Sequence, residues 1–313
     1  MLRAVIRRNI GWNHSLGKRC KMQPKVYIVI LNYKNPDYTI KCLESVYDLN
    51  YDNYCAVVVD NASADDSVAR IRAWQKRSGK APVLLTTDEN RGYSGGNNVG
   101  IRYALAQDDC EYVWILNNDT EVDADSLREM VAKEQATGAG GVGCVVCYYD
   151  EREKVQLVGN TADFDNFVLH GVGTNSAAKA MKAGLPIDTL SGPSFIMSKK
   201  LIEDVGILDE SYFLYCEELE LAARAKEKGY HFTYAEKSFI YHKESASARK
   251  KSTSYRDYHV IRSWRIFIGR WHPEKVESFE TLYYKQLKKK LKHFHVKRAY
   301  AIYNGIKNGR RNC

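Results

Sequence analysis

No stretch of this sequence reaches the roughly 20 consecutive apolar residues that a membrane-spanning helix requires, so an integral membrane protein is not expected. Residues 1–21 are basic, but no apolar run followed by a small-residue cleavage site occurs there, and a secretory signal is not expected either. Proline is scarce, and no internal repeat or low-complexity linker divides the chain. Cysteines are scattered: only Cys144 and Cys147 form a C-x-x-C. They lie in an apolar run that reads as a buried strand, and no second pair or nearby Cys/His completes a zinc site. Buried, reduced thiols of a cytoplasmic protein are the expectation. Glycine is missing after the first apolar strand, where Leu31 is followed by Asn32-Tyr33-Lys34-Asn35-Pro36. The dinucleotide-binding fingerprint needs glycines at that turn, which disfavours a nicotinamide-dependent dehydrogenase; a Walker loop is also lacking.

What is present begins with residues 25–32, a β-branched apolar run of the kind buried on both faces of a parallel sheet. Pro36 then opens a helical pattern with Ile40, Leu43, Val46 and Tyr47. Strands are predicted over residues 54–59, 83–86 and 112–116. Helices are predicted from Asp65-Asp66 onward and over residues 100–107. The β-α-β-α-β-α-β order predicts a layered α/β domain with a mainly parallel sheet. Further on, the pattern reads as helices at 126–135, 199–205 and 217–228, the last stopped by Gly229. Strands are expected at 141–149, 230–234 and 239–242, an interrupted strand at 189–197, and a strand or loop at 164–171.

In such sheets ligands bind beyond the carboxyl ends of the strands. Those ends carry Asn32, Asp60-Asn61, residues 87–90 and Asn117-Asn118-Asp119. Any one of them serves equally as a turn or a helix cap. Asp119 could hold Mg²⁺ or Mn²⁺ through oxygen, with Asn117 offering only a neutral carbonyl. Residues 88–98 carry Gly92, Gly95 and Gly96 beside Arg91, a tight backbone with N–H groups exposed before a helix. Glu217-Glu218 opens a helix whose dipole favours the ionised form that a general base requires; the alternative is an acidic, solvated first turn. His242 ends a strand, as a metal ligand or as a satisfied core residue.

These pieces occur in the order found in the inverting glycosyltransferases of family 2. The carrying residues are Val29-Ile30-Leu31-Asn32-Tyr33, Val58-Val59-Asp60-Asn61-Ala62-Ser63, Asn90-Arg91-Gly92-Tyr93-Ser94-Gly95-Gly96-Asn97, Leu116-Asn117-Asn118-Asp119, Gly206-Ile207-Leu208-Asp209-Glu210 and Tyr215-Cys216-Glu217-Glu218. The chain resembles in particular the rhamnosyltransferase-like branch that builds bacterial cell-surface polysaccharides. The resemblance implies a GT-A fold, a nucleotide-diphosphate sugar as donor, dTDP-rhamnose first and a UDP-hexose or UDP-galactofuranose second, and a carbohydrate or lipid-linked saccharide as acceptor. It implies that Asp60 reads the pyrimidine, that Leu31 and Asn32 line the base, and that Asn90, Arg91 and Gly92 lie by the ribose and diphosphate. Asn61, Asn97, Asn117, Asn118 and Glu217 fall among the donor-binding residues. Asp119 matches the last acid of the family's D-x-D motif, whose first position is Asn117 here. His242 matches a residue that completes the Mg²⁺ or Mn²⁺ shell. Glu218 stands at the catalytic acid-pair position, usually Asp, as the base that deprotonates the acceptor.

The chain is thus expected to comprise a basic N-terminal extension (1–24), a GT-A domain (25–245) and a basic, amphipathic helical region (246–313). The net charge of +9 is uneven: from Tyr283 to Cys313 there is no acidic residue. Arg249-Lys250-Lys251 precedes a helix with Ile261, Trp264, Ile268 and Trp271 at helical spacing, and Leu287, Leu291 and Phe294 recur among lysines. Basic amphipathic helices with Trp suit an anionic membrane surface, here the inner face of the cell membrane. The alternatives are a core-packing helix followed by a solvated tail, or a protein-docking segment. No nucleic-acid motif accompanies the basic stripe. Other functional readings are a nucleotidyltransferase, disfavoured by Glu217-Glu218 and His242, and a catalytically silent subunit that binds a nucleotide sugar.

Overall fold

The computed structural model describes residues 23–243 and 252–311. The basic segment Arg249-Lys250-Lys251, the boundary at 245/246 and most of the N-terminal extension lie outside the described residues. The first half alternates strands β1 (Val26–Asn32), β2 (Tyr54–Asp60), β3 (Val83–Thr86) and β4 (Tyr112–Asn117) with helices α1 (Pro36–Val46), α2 (Ser67–Ser78) and α3 (Gly92–Leu105). The four strands are parallel, in the order β3-β2-β1-β4. Alternate residues of each strand feed opposite faces. On β1, Val26, Ile28 and Ile30 enter one core cluster, while Tyr27 and Val29 enter the other. Trp114 and Ile115 of β4 divide in the same way. The sheet is therefore covered on both sides, which is what its unbroken apolar runs require.

Register aligns the carboxyl ends. Asn32 pairs with Asp60, Asp60 with Thr86, and Leu31 with Asn117. The polar tips thus stand along one edge of the sheet.

The second half makes the sheet mixed. It contributes β5 (Thr120–Val122), α4 (Ser126–Thr137), β6 (Gly141–Tyr148), β7 (Val155–Leu157), β8 (Asn160–Asp163), β9 (Val168–Gly171), β10 (Ser194–Ser198), α5 (Lys199–Val205), α6 (Glu217–Glu227) and β11 (Thr233–His242). β10 lies antiparallel between β4 and β6, and β11 joins β6 in parallel and β5 antiparallel. The parallel half matches expectation; a strand was expected in the β10 region, but its antiparallel place between β4 and β6 was not legible in the sequence pattern.

Three local expectations need correction, and a fourth, the strand or loop at 164–171, resolves into both. Residues 92–99 are not a loop before a helix: α3 begins at Gly92. Its glycines permit close packing, because a Cβ at Gly96 would meet Leu31 and one at Gly100 would meet Val29. The strands expected at 230–234 and 239–242 are one strand, β11, with a register irregularity between Ala235 and Phe239. Residues 164–171 span the turn and second strand of the β8–β9 hairpin. The strand expected at 189–197 forms only from Ser194.

Three helices close the described chain: α7 (Thr253–Trp271), α8 (Val276–Lys292) and α9 (Val296–Arg310). Ile261, Trp264 and Ile268 of α7 are buried in a cluster with Phe167, Tyr212, Leu219, Phe279 and Ile306. The apolar stripe read as membrane-facing in α7 is therefore core. It ties the C-terminal helices to α6 and to the β8–β9 hairpin.

Candidate active site

A cavity of about 620 Å³ opens at the carboxyl edge of the sheet, within the range of ligand sites. Leu31, Asn61, Asn90, Gly92, Asn117, Asn118, Asp119, Glu217, Glu218 and His242 all line it. Asn32, Asp60, Arg91 and Asn97 do not.

Asp60 and Asn32 form a buried brace behind the wall. Asn32 Nδ2 donates to Asp60 Oδ2 at 2.6 Å, and Ser63 donates to the same carboxylate through its hydroxyl at 2.6 Å and its backbone N–H at 3.0 Å. Thr39 donates to Asn32 Oδ1 at 2.7 Å and receives Asn118 Nδ2 at 2.9 Å. Asn118 is thereby fixed through α1. Asn61 organises the next turn: its Nδ2 donates to Asn90 Oδ1 and to Gly92 O, both at 3.0 Å, and its Oδ1 accepts the Arg91 N–H at 3.0 Å. Arg91 itself is exposed. Asn97 is held within α3 by donation to Tyr93 O at 3.0 Å.

Asp119 follows β4, and His242 ends β11. Pairing of β11 with β5 sets His242 opposite Thr120, bringing His242 Nε2 to 3.3 Å from Asp119 Oδ1. Both side chains are largely buried. His242 Nδ1 lies 2.9 Å from Gln156 Oε1 on β7. That oxygen only accepts, so Nδ1 carries the ring proton. Nε2 is then the ring nitrogen that faces the Asp119 carboxylate. One carboxylate and one outward-facing imidazole nitrogen make a chemically suitable, incomplete set for a divalent ion. No three Asp, Glu, His or Cys side chains converge on such a point among the described residues. The pair would therefore hold Mg²⁺ or Mn²⁺ together with oxygens from a ligand in the cavity.

The same cavity is lined by Glu217 and Glu218, with which α6 begins. The two residues before it, Tyr215 (φ 72°) and Cys216 (φ 64°), both have left-handed backbone. Consecutive non-glycine residues there carry strain of roughly 1–3 kcal/mol each; this turn directs the start of α6 at the cavity. Tyr93 stands among the acids: its hydroxyl donates to Gly192 O at 2.6 Å. Burial, then the charges of Glu218, Glu217 and Asp119, hold its phenol well above the ordinary value. A Cβ at Gly192 would collide with the Glu218 carboxylate, so a side chain fits there only if that carboxylate moves.

The sequence reading expected the helix dipole to keep Glu217 and Glu218 readily ionised. Burial wins instead. It pushes Glu218 up to about 7. Burial, then repulsion from Glu218, drives Glu217 well above the usual carboxylate range. Glu217 Oε2 is buried without a hydrogen-bond partner among the described residues. Near neutrality the pair can hold one charge, so a partly ionised Glu218 beside a protonated Glu217 is a base poised near pH 7.

Sequence reasoning missed Gln156, Tyr93 and Gly192 as site residues, together with the aromatic wall of Phe167, Phe213, Tyr255 and Trp264. Tyr93 and Gly192 were visible, one within the glycine-containing motif and the other as a strand interruption. Gln156 carried no signal. The other conspicuous motif, Gly206-Ile207-Leu208-Asp209-Glu210, is a brace: Asn98 bonds Leu208 O and Glu210, and Arg270 pairs with Asp209.

A family model described as "Glycosyl transferase family 2" matches residues 27–206. The low-salt glycan biosynthesis hexosyltransferase Agl10 of Haloferax volcanii is 27% identical over 244 residues, covering 76% of this chain and 75% of that protein. Among solved structures, GalNAc-T7 with UDP, GalNAc and Mn²⁺ superposes with a TM-score of 0.62 at 12% identity, over 79% of this chain and 48% of that one. The mannosyltransferase PcManGT from Pyrobaculum calidifontis, in complex with GDP-Man and Mn²⁺, gives 0.55 at 16% identity over 94% and 91% of the two chains. At these identities the likeness is one of fold, and the expected GT-A architecture with C-terminal helices is the one observed.

Proposed function

Since the chain belongs to glycosyltransferase family 2, we propose that it transfers a sugar from a nucleotide-diphosphate donor to a hydroxyl of a saccharide acceptor during glycan or polysaccharide synthesis, inverting the anomeric centre. The observation that carries this reading is that two chemistries line one cavity: the Asp119–His242 pair and the Glu218 carboxylate. The glycan-biosynthesis role of the Haloferax relative supports the process.

In this reading Leu31, Asn61, Asn90, Gly92 and Asn118 bound the donor pocket. Asn32, Asp60 and Asn97 hold that wall rigid from behind. Arg91, exposed and outside the cavity lining here, would turn toward the diphosphate when a donor binds. Asp119 and His242 are the residues that would hold Mg²⁺ or Mn²⁺, which would supply charge neutralisation at the diphosphate. Glu218 takes the proton of the acceptor hydroxyl. The acceptor oxygen forms its bond to the anomeric carbon as the bond from that carbon to the diphosphate oxygen breaks, and the nucleoside diphosphate leaves with the electron pair. A single displacement from the face opposite the leaving group inverts the configuration.

For the donor, dTDP-rhamnose comes first on the motif resemblance, with a UDP-hexose or UDP-galactofuranose second, a choice that the hexosyltransferase relative supports. A lipid-linked saccharide is the proposed acceptor. The test is a thermal-shift screen of nucleotide sugars with and without Mn²⁺, followed by transfer assays and NMR of the product anomer. A metal-dependent donor hit with an inverted product is expected. Donor binding without turnover on any saccharide acceptor, or a retained anomer, overturns the proposal.

A further inference from the structure

Every large hydrophobic side chain that stands exposed among the described residues lies in one short stretch, from Leu291 to Tyr303. Phe294 is 90% exposed, joined by Leu291, Val296, Tyr300 and Tyr303. Leu291, Phe294 and Val296 form the tip where α8 turns into α9, and Tyr300 and Tyr303 follow within α9. Phe294 also has left-handed backbone, φ 57°, so a bulky side chain sits in strained backbone with no burial to offset it.

The tip is also cationic. Lys285, Lys288, Lys289, Lys292 and Lys297 are exposed, and none of them is in an ion pair among the described residues. The nearby carboxylates are taken: Glu280 pairs with Arg265 and Arg310, and Asp257 with Arg298.

Its position relative to the cavity follows from helix packing. Gly305 packs against Tyr258 and Ile261, and Gly309 against Arg262 and Arg265, so α9 runs beside α7 in the same direction. Arg298 bonds Asp257 at 2.6 Å. The start of α9, with the exposed tip, therefore lies at the same end of the bundle as Tyr255 and Arg256, which line the cavity.

We propose that this tip docks the protein on an anionic lipid surface, with Phe294, Leu291 and Val296 entering the acyl boundary and the lysines meeting lipid headgroups. A second copy of the chain fits poorly, because two uncompensated cationic patches repel. Nucleic acid would satisfy the lysines but gives Leu291 and Val296 no hydrocarbon to enter. Docking at this end would turn the cavity toward a lipid-linked acceptor. That consequence rests on the transferase reading; the docking itself does not.

The test is flotation with phosphatidylcholine vesicles, with and without phosphatidylglycerol. The full chain should partition onto the anionic vesicles, less so at high salt. Changing Phe294→Ser with Leu291→Ser should weaken partition at least tenfold. Changing Lys288, Lys289 and Lys292 together to Gln should weaken it roughly a hundredfold, at about fivefold per lysine. Lys226→Gln, on α6, should change nothing. All these side chains are exposed, so unchanged melting temperatures confirm folded variants. Absence of partition by the wild type, partition indifferent to both tip variants, or self-association lost in those variants without vesicle binding each overturns the proposal. Because flotation reads no transfer, its failure leaves the transferase reading standing.

Discussion

His242 reaches Asp119 only because β11 lies antiparallel to β5, which sets its imidazole Nε2 3.3 Å from the Asp119 carboxylate. Gln156, on a third strand, accepts from the other ring nitrogen at 2.9 Å and so fixes which nitrogen faces Asp119. Sheet pairing thus brings the end of β11 to the β4–β5 turn that carries Asp119.

The first prediction concerns this unit. Asp119→Ala should abolish Mn²⁺-dependent stabilisation by a nucleotide sugar. Gln156→Leu should weaken Mn²⁺ affinity about 10–100-fold while leaving the first ligands in place, the size seen when a ligand histidine loses its outer partner. Mn²⁺ titrations followed by calorimetry in the presence of donor check both. Undiminished affinity in Gln156→Leu would separate that residue from the metal.

The second concerns the base. Glu218→Gln should lower kcat by about 10²–10⁴-fold with donor affinity within a few-fold of wild type. Glu217→Gln should retain most of the rate, because Glu217 is the member of the pair that stays protonated. The base must be ionised, so kcat should rise with pH through about 7. Rate–pH profiles of the three proteins decide it: equal turnover by Glu218→Gln removes that residue from the role.

The third tests the fit of Gly192. An added Cβ would collide with the Glu218 carboxylate, the flexible end of its side chain, so the carboxylate should move while the fold survives. Gly192→Ala should therefore cost about 100-fold in kcat with little change in melting temperature or donor affinity. A fully active Gly192→Ala would show that the position of Glu218 is not critical.

Periodicity made the parallel half of the sheet legible, since β1, β2 and β4 are buried on both faces and read as continuous apolar runs. The same signal misled at α7. A stripe of Ile261, Trp264 and Ile268 among arginines looks alike whether it meets lipid or a protein core, and only tertiary packing decides. Here Trp264 is 3% exposed. Trp264→Ala should accordingly destabilise the fold by about 3–5 kcal/mol, read by urea unfolding; a loss below about 1 kcal/mol would contradict its burial. The α3 start was misplaced because glycines weaken helix propensity, whereas here Gly96 and Gly100 are required by the approach of α3 to Leu31 and Val29. At the site, the strand-end polar residues were visible one by one. The Gln156–His242 contact and the strained turn at Tyr215 and Cys216 depend on coordinates that no local pattern encodes.

The last prediction follows from linkage. Glu218 has a folded-state pKa raised from its ordinary 4.5 to about 7, and Glu217 is raised further. Between those values the native protein binds more protons than the unfolded chain, so stability must fall as pH rises. The contribution is fully present below about pH 4.5 and is lost through pH 7 and above. Glutamine cannot ionise, so Glu218→Gln should be relieved of this loss. Relative to wild type it should gain on the order of 2–3 kcal/mol between pH 5 and pH 8. Urea unfolding of both proteins at the two pH values measures the difference directly. Parallel stability curves would mean that Glu218 ionises at an ordinary pKa. A general base poised near neutrality would then have to be sought elsewhere on the cavity wall.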